Sequence, residues 1–229
     1  MNIETAVKLA KPFIFKRKGR PALTTALVTE EYVIATNTHF LIRIRHNEEG
    51  ITPYLHLYKK DKETEALEAN SYPKTDRLIP DKSYATSSGH MDTAELWEAV
   101  ECACVAAEFN HDVEVEEEVA AQKDKPKHLK KTKKEIKDKK IPTLYCTDKE
   151  MTVRAKYQDV NSGNFTYNLD KAIPFTEKTA FNSAYLKTAI KTFRSAKEKS
   201  IEGYFYSNVR PFYMTAGDIE IIILPVRVS

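Results

Sequence analysis

Two groups of cationic side chains have the type and spacing to hold a polyanion. Lys187, Lys191 and Arg194 recur at i, i+4 and i+7, and Lys197 follows closely. On a helix that spacing makes one positive stripe. A second group lies near the start of the chain: Lys8 and Lys11, then Lys16, Arg17, Lys18 and Arg20. Stripes of this kind neutralise backbone phosphates and attract duplex DNA whatever its sequence. A solvated helix face looks the same in sequence, so the fold must decide between the two. Nothing comparable argues for catalysis. His39, His46, His56, His90, His111 and His128 show no ligand spacing, and no HExxH occurs. Cys102, Cys104 and Cys146 form no CxxC, and neither GxGxxG nor GxxxxGK[ST] is present. The expectation is a chain with no cofactor and no metal that is not an enzyme.

These side chains need elements to hold them. Asn2 to Ala10 reads as a short amphipathic helix, with Ile3, Val7 and Ala10 on one face and Lys8 and Lys11 on another. The basic stretch after it is a turn, containing Gly19 and closed by Pro21. Strands are expected at Ala22 to Val28, Tyr32 to Thr36, His39 to Arg45 and Tyr54 to Tyr58. A second helix is expected from about Asp92 to Phe109, with Leu96, Val100, Ala103 and Ala107 as its apolar stripe. Its Asp92, Glu95, Glu98 and Glu101 make it acidic. His111 to Glu118 is strongly acidic and Lys123 to Lys140 lysine-dense, which reads as an inserted, poorly ordered loop. Strands resume at Thr143 to Cys146, Met151 to Tyr157 and Asn164 to Asp170. A third helix, about Ser183 to Lys197, places Leu186, Ala189, Ile190 and Phe193 opposite the positive stripe. Strands at Ile201 to Ser207, Phe212 to Thr215 and Ile219 to Val226 finish the chain. This order is α+β with largely antiparallel sheets.

Composition narrows the class further. The 229 residues allow one large domain or two smaller ones, and 41% apolar with 30% charged residues suits a soluble globular chain. The net charge of +3, from 36 basic and 33 acidic residues, says little alone; the charges come in blocks. Apolar runs such as Ile221 to Val226 are far short of the ~20 residues of a membrane helix. No basic stretch followed by an apolar one opens the chain, so no signal peptide is visible. Three cysteines in no disulfide framework fit a reducing compartment, and a cytoplasmic location is expected.

Three stretches resemble the bacterial sliding clamps, the β subunits of the replicative DNA polymerase. Arg20-Pro21-Ala22-Leu23-Thr24 through Ala35-Thr36-Asn37-Thr38-His39-Phe40-Leu41 resembles the "RPxLxGV…ATDSHRLA" stretch of the middle clamp domain. Tyr72-Pro73-Lys74-Thr75-Asp76-Arg77-Leu78-Ile79-Pro80 is similar to the "YPDYxRVIP" segment before the last domain. Phe181-Asn182-Ser183-Ala184-Tyr185-Leu186 looks like "FNPxYLLDAL", and Ile223-Leu224-Pro225-Val226-Arg227-Val228 looks like the terminal "xMPVRL". The three occur in the family's order. The first clamp domain has no counterpart, Asn37 replaces an aspartate, and Phe40 replaces an arginine.

The resemblance implies a clamp fold, with antiparallel sheets outside and helices on the inner face. It implies two clamp-like domains: a shortened one at 1–80, and a C-terminal one at 81–229 with the charged insertion at about 111–141. It implies a phage or prophage processivity factor that encircles duplex DNA. Polymerase and clamp-loader proteins would bind it through short hydrophobic motifs. The matching groove positions are Thr36, His39, Leu41, Pro73, Arg77, Leu78, Tyr185, Ile222, Ile223, Leu224, Pro225 and Val226. The cationic residues named at the outset would face DNA. Clamps of this architecture carry six domains around the hole, so two domains per chain imply a head-to-tail homotrimer. The alternative is a clamp-like decoy or adaptor that binds replication proteins without encircling DNA. A third reading is a nucleic-acid enzyme using acids such as Glu95 and Glu98.

Overall fold

The computed structural model of the chain describes residues 1–16, 19–59, 62–123, 126, 129–139, 142–154 and 164–227. Helix α1 (Ile3–Ala10) buries Ile3, Ala6, Val7 and Ala10, one stripe at helical spacing. Strands β1 (Ala26–Val28), β2 (Tyr32–Thr36) and β3 (Phe40–Arg45) follow as an antiparallel meander, and β4 (Tyr54–His56) pairs with the outer side of β1. A short helix, α2 (Lys62–Glu65), and a run of single turns lead to β5 (Ser87–Asp92). Helix α3 (Thr93–Ala120) and helix α4 (Lys133–Lys139) come next. A second meander follows: β6 (Thr143–Cys146), β7 (Glu150–Arg154) and β8 (Asn164–Asn168). Then come β9 (Thr179–Asn182), helix α5 (Ser183–Ser195), and a third meander of β10 (Ser200–Phe205), β11 (Phe212–Ala216) and β12 (Ile219–Ile223).

The same unit recurs along the chain: a helix, a three-stranded meander, and a fourth strand on the outer side of the meander's first strand. The fourth strand is β4 beside β1, β9 beside β6 and β5 beside β10. The last two are exchanged, because β5 runs into α3 yet pairs with the meander that follows α5. Each helix starts from an Asx cap, at residues 2, 92 and 182, equally spaced along the chain. The Asn2 side chain accepts from Thr5 N–H at 2.9 Å. Asp92 accepts from Ala94 and Glu95 N–H, both at 2.9 Å, and Asn182 from Ala184 and Tyr185 N–H at 3.0 and 3.3 Å. Such caps satisfy amides that have no partner inside the helix.

Strands β3 and β12 pair antiparallel, with Leu41 opposite Ile222 and Phe40 opposite Ile223. That joint fuses two meanders into one eight-stranded sheet, ordered β4-β1-β2-β3-β12-β11-β10-β5; the other sheet is β8-β7-β6-β9. Alternation sorts the side chains between the two faces of the large sheet. Phe40, Ile42, Ile44, Ile221 and Ile223 enter the main core with the buried stripes of α1, α3 and α5. Ile34, Leu41, Tyr213 and Ile222 point the other way, under a smaller cluster closed by Leu23, Tyr72 and Tyr206. The stripe expected on α5 holds: Leu186, Ala189, Ile190 and Phe193 are all buried. At Gly203, opposite Gly89 in β5, a Cβ would fall 2.7 Å from Met91 Cε and 2.9 Å from Phe212 Cζ, so any larger residue would force those side chains to shift.

The structure corrects several expectations. The acidic stretch from His111 to Glu118 is no loop. It continues α3 to Ala120, buries His111 and Val115, and contains neither Gly nor Pro to stop it. Part of the lysine-rich segment is α4, which packs back on α3 with Ile136 buried. Thr132 and Glu135 cap it reciprocally, the Glu135 carboxylate accepting from Thr132 N–H at 2.7 Å and Thr132 Oγ1 from Glu135 N–H at 3.2 Å. The strand expected from Ala22 starts only at Ala26, because Pro21 opens a single 3₁₀ turn, Pro21–Thr24. Residues 155–157 of the strand expected after Met151 lie outside the described residues. None of the described helices is long and apolar enough to cross a membrane.

Candidate functional site

The β2–β3 hairpin organises the expected groove. Its tip holds Thr38 at φ 79°, a left-handed conformation that a threonine adopts only when its surroundings impose it. The Asn37 carboxamide accepts from His39 and Phe40 N–H at 3.0 and 3.1 Å. Thr36 Oγ1 donates to Phe40 O at 2.8 Å and accepts from Thr38 N–H at 3.1 Å. The turn is thus fixed by its own side chains, and His39 projects from a rigid base.

Two clusters meet at this hairpin. On the face away from the helices, Thr36 pairs with Leu41 and Leu41 with Ile222. Tyr72 lies over them, accepting from Thr36 N–H at its hydroxyl oxygen, 3.1 Å away. Burial pushes that phenol well above its ordinary pKa, so it stays neutral. The turn after it exposes Pro73, Arg77 and Leu78, with Leu78 52% exposed. Asp76 stands 3.9 Å from Arg43 of β3, and Arg43 binds Glu220 of β12 at 2.6 Å. At the hairpin tip, Tyr185 of α5 stacks on Phe40 and on His39, with ring centroids 4.5 and 5.8 Å apart. The segment after β12 passes here: Leu224 N–H donates to His39 O at 2.9 Å, and Val226 N–H to Ala180 O at 2.8 Å. Leu224 is 41% exposed, and Pro225 and Val226 are half-buried.

Thr36, His39, Leu41, Tyr185, Ile222, Leu224, Pro225 and Val226 are therefore gathered around one hairpin, with the Pro73–Leu78 turn at its flank. Ile223 does not reach this surface. It is fully buried in the helix-side core, because strand alternation turns it away from Ile222. Tyr72 was missed by sequence reasoning, although its place before Pro73 in a family-like segment was the available signal.

The cationic residues divide into two places. Lys187 and Arg194 lie over the Trp97 ring of α3, at 6.0 and 5.1 Å from its centroid, and Lys191 and Lys197 are exposed. The stripe on α5 thus sits beside the acidic α3, and Trp97 lies under two of its cations. Farther along α3, Lys131 and Lys133 stand 3.9 and 3.2 Å from Glu118 and Glu116. Lys8, Lys11 and Lys16 line a cavity at the end of α1, and Arg20 is exposed nearby. Arg17 and Lys18 lie outside the described residues. Glu95 serves the fold: its carboxylate accepts from Asp170 and Lys171 N–H. Among the described residues no group of three or more His, Cys, Asp or Glu side chains could hold a metal.

No protein-family model matches the sequence, and no curated protein matches it. Solved structures do match. The β subunit of DNA polymerase III from Thermotoga maritima aligns over 99% of this chain and 64% of its own, at TM-score 0.67 and 12% identity. The β subunit from Streptococcus pyogenes aligns over 98% and 63%, at 0.64 and 16%. The DNA polymerase sliding clamp from Bacillus subtilis aligns over 99% and 62%, at 0.63 and 14%. Sequence likeness this low carries the fold alone, and the chain spans less than two thirds of the length of these proteins. The recurring units, the capped helices and the hairpin that joins them are the sliding-clamp fold of bacterial DNA polymerase III β subunits.

Proposed function

We propose that the chain is a non-catalytic processivity factor: a sliding clamp that encircles duplex DNA and tethers a DNA polymerase and clamp-loader proteins. The observation that carries this reading is the exposed Leu224, held to His39 O of a rigid hairpin on which Tyr185 stacks, while the turn that exposes Leu78 is tied to the same hairpin through Tyr72 and Asp76. A preformed apolar site with a few polar anchors suits short Leu- and Phe-bearing motifs. The positive residues of α5 and of the α1 end supply sequence-independent attraction to DNA. Residues 1–80 and 81–229 act as two clamp-like domains, and three copies close the ring head to tail. A compact subunit of this kind suits a phage or prophage replication system working in the cytoplasm.

The test is fluorescence anisotropy with a labelled peptide carrying a Leu/Phe clamp-binding motif. Leu78→Asp and Leu224→Asp each weaken binding by about tenfold or more, about 1.4 kcal/mol. Both positions are exposed, so the thermal melt stays close to that of the parent. Unchanged affinity in both variants overturns the groove.

A further inference from the structure

The lysines near the N-terminus do more than decorate a surface. Lys8, Lys11 and Lys16 surround a cavity of about 780 Å³ together with Lys59, which the sequence places far away. That volume lies within the range of about 300–1,000 Å³ typical of small-ligand sites. Between the lysines its lining is partly apolar and aromatic, with Ile14, Phe15 and Tyr58, and these residues are less exposed than the lysines. Tyr58 is held from behind, its hydroxyl donating to Val7 O at 2.6 Å, and Lys11 Nζ stands 6.0 Å from its ring centroid. The segment carrying Phe15 is pinned by Phe15 N–H donating to Leu23 O at 2.7 Å. Lys8 shares its charge with Glu4 at 2.6 Å, while no carboxylate lines the cavity among the described residues.

We propose that this cavity binds a nucleotide unit, either free or at an unpaired end of a DNA strand. The lysine rim takes the phosphate and the aromatic lining takes the base. A cleft lined by one sign of charge concentrates the opposite charge, and a positive groove with aromatic platforms is the general chemistry of single-strand binding. A paired base cannot reach that lining, because both of its faces are stacked inside the duplex. Duplex DNA therefore meets only the rim. The site requires no ring and no peptide groove, so it stands or falls independently of the clamp reading.

The experiment uses the full chain and anisotropy of a labelled, 5′-phosphorylated oligothymidylate at fixed salt, since affinities compare only at one ionic strength. The expected result is that Lys11→Ala/Lys59→Ala weakens binding by about tenfold, while Lys149→Ala/Lys199→Ala, which removes equal charge at exposed positions outside both cationic groups, changes it less than about threefold. Blunt duplex of equal length competes poorly. In a direct titration, saturable dTMP binding that is lost in Lys11→Ala/Lys59→Ala identifies a free-nucleotide site. Oligothymidylate binding lost in that variant, without measurable dTMP binding, identifies a strand-end site. Equal losses in both double variants, or equal competition by duplex, show only a positive surface and overturn the proposal. So does inorganic phosphate alone displacing the oligonucleotide at the concentration at which a mononucleotide or a short oligothymidylate does.

Discussion

Cys102, Cys104 and Cys146 are one residue type in three environments. Cys102 is exposed, while the other two are buried. Burial pushes the Cys104 thiol up to about 12 and raises Cys146 further, so neither forms thiolate near neutrality. The folded protein treated with iodoacetamide at about pH 8 should take up one label, on Cys102, and three only after denaturation. A second label in the native state would mean that the α3 packing opens readily. The Asx caps make a similar single-residue claim. Asn182→Ala removes the acceptor for Ala184 and Tyr185 N–H and should cost about 1 kcal/mol in denaturant unfolding. No measurable cost would show that the cap is dispensable. At the β2–β3 hairpin, residue type and burial part company. Ile222 and Leu41 are buried in the cluster under Tyr72, Ile223 is in the helix-side core, and Leu78 and Leu224 are exposed. Adjacent isoleucines read alike in sequence, and only the pairing of β12 with β3 assigns each a face.

At the scale of elements, strong periodicity was legible and tertiary dependence was not. The α5 stripe was plain and the alternation of β3 partly so, because each element carries its own pattern. Strand β5, with the sequence SSGHMD, has no alternation to read; it is a strand because β10 pairs with all six of its residues. The acid run of α3 suggested a poorly ordered loop too polar to bury a core, yet the fold supplies what sequence statistics cannot, with the segment that enters α4 returning Lys131 and Lys133 to Glu118 and Glu116. Exposed ion pairs contribute only about 0–1 kcal/mol each, so the apolar contact should dominate. Ile136→Ala, at a buried site where such truncations cost about 2–5 kcal/mol, should free α4. Trypsin should then cut the lysine-rich connection faster, while the sheet's thermal midpoint stays nearly constant. A large fall in that midpoint would show instead that α4 is part of the main cooperative unit.

The whole molecule poses a charge question. The eight-stranded sheet joins both halves of the chain through β3 and β12, and α1, α3 and α5 share the core beneath it. A ring built on this fold would present α5, which is basic, next to α3, which has no Lys or Arg at all. Attraction to DNA must then come from α5 and the end of α1, and its salt dependence should reflect those few contacts. Topological linkage distinguishes encirclement from simple attraction, because charge alone cannot tell a circle from a line. The most direct measurement is therefore retention on a nicked circular plasmid during gel filtration, followed by cutting the plasmid once. The protein should travel with the circle and be released on linearisation. Equal retention on circular and linear DNA would contradict the account.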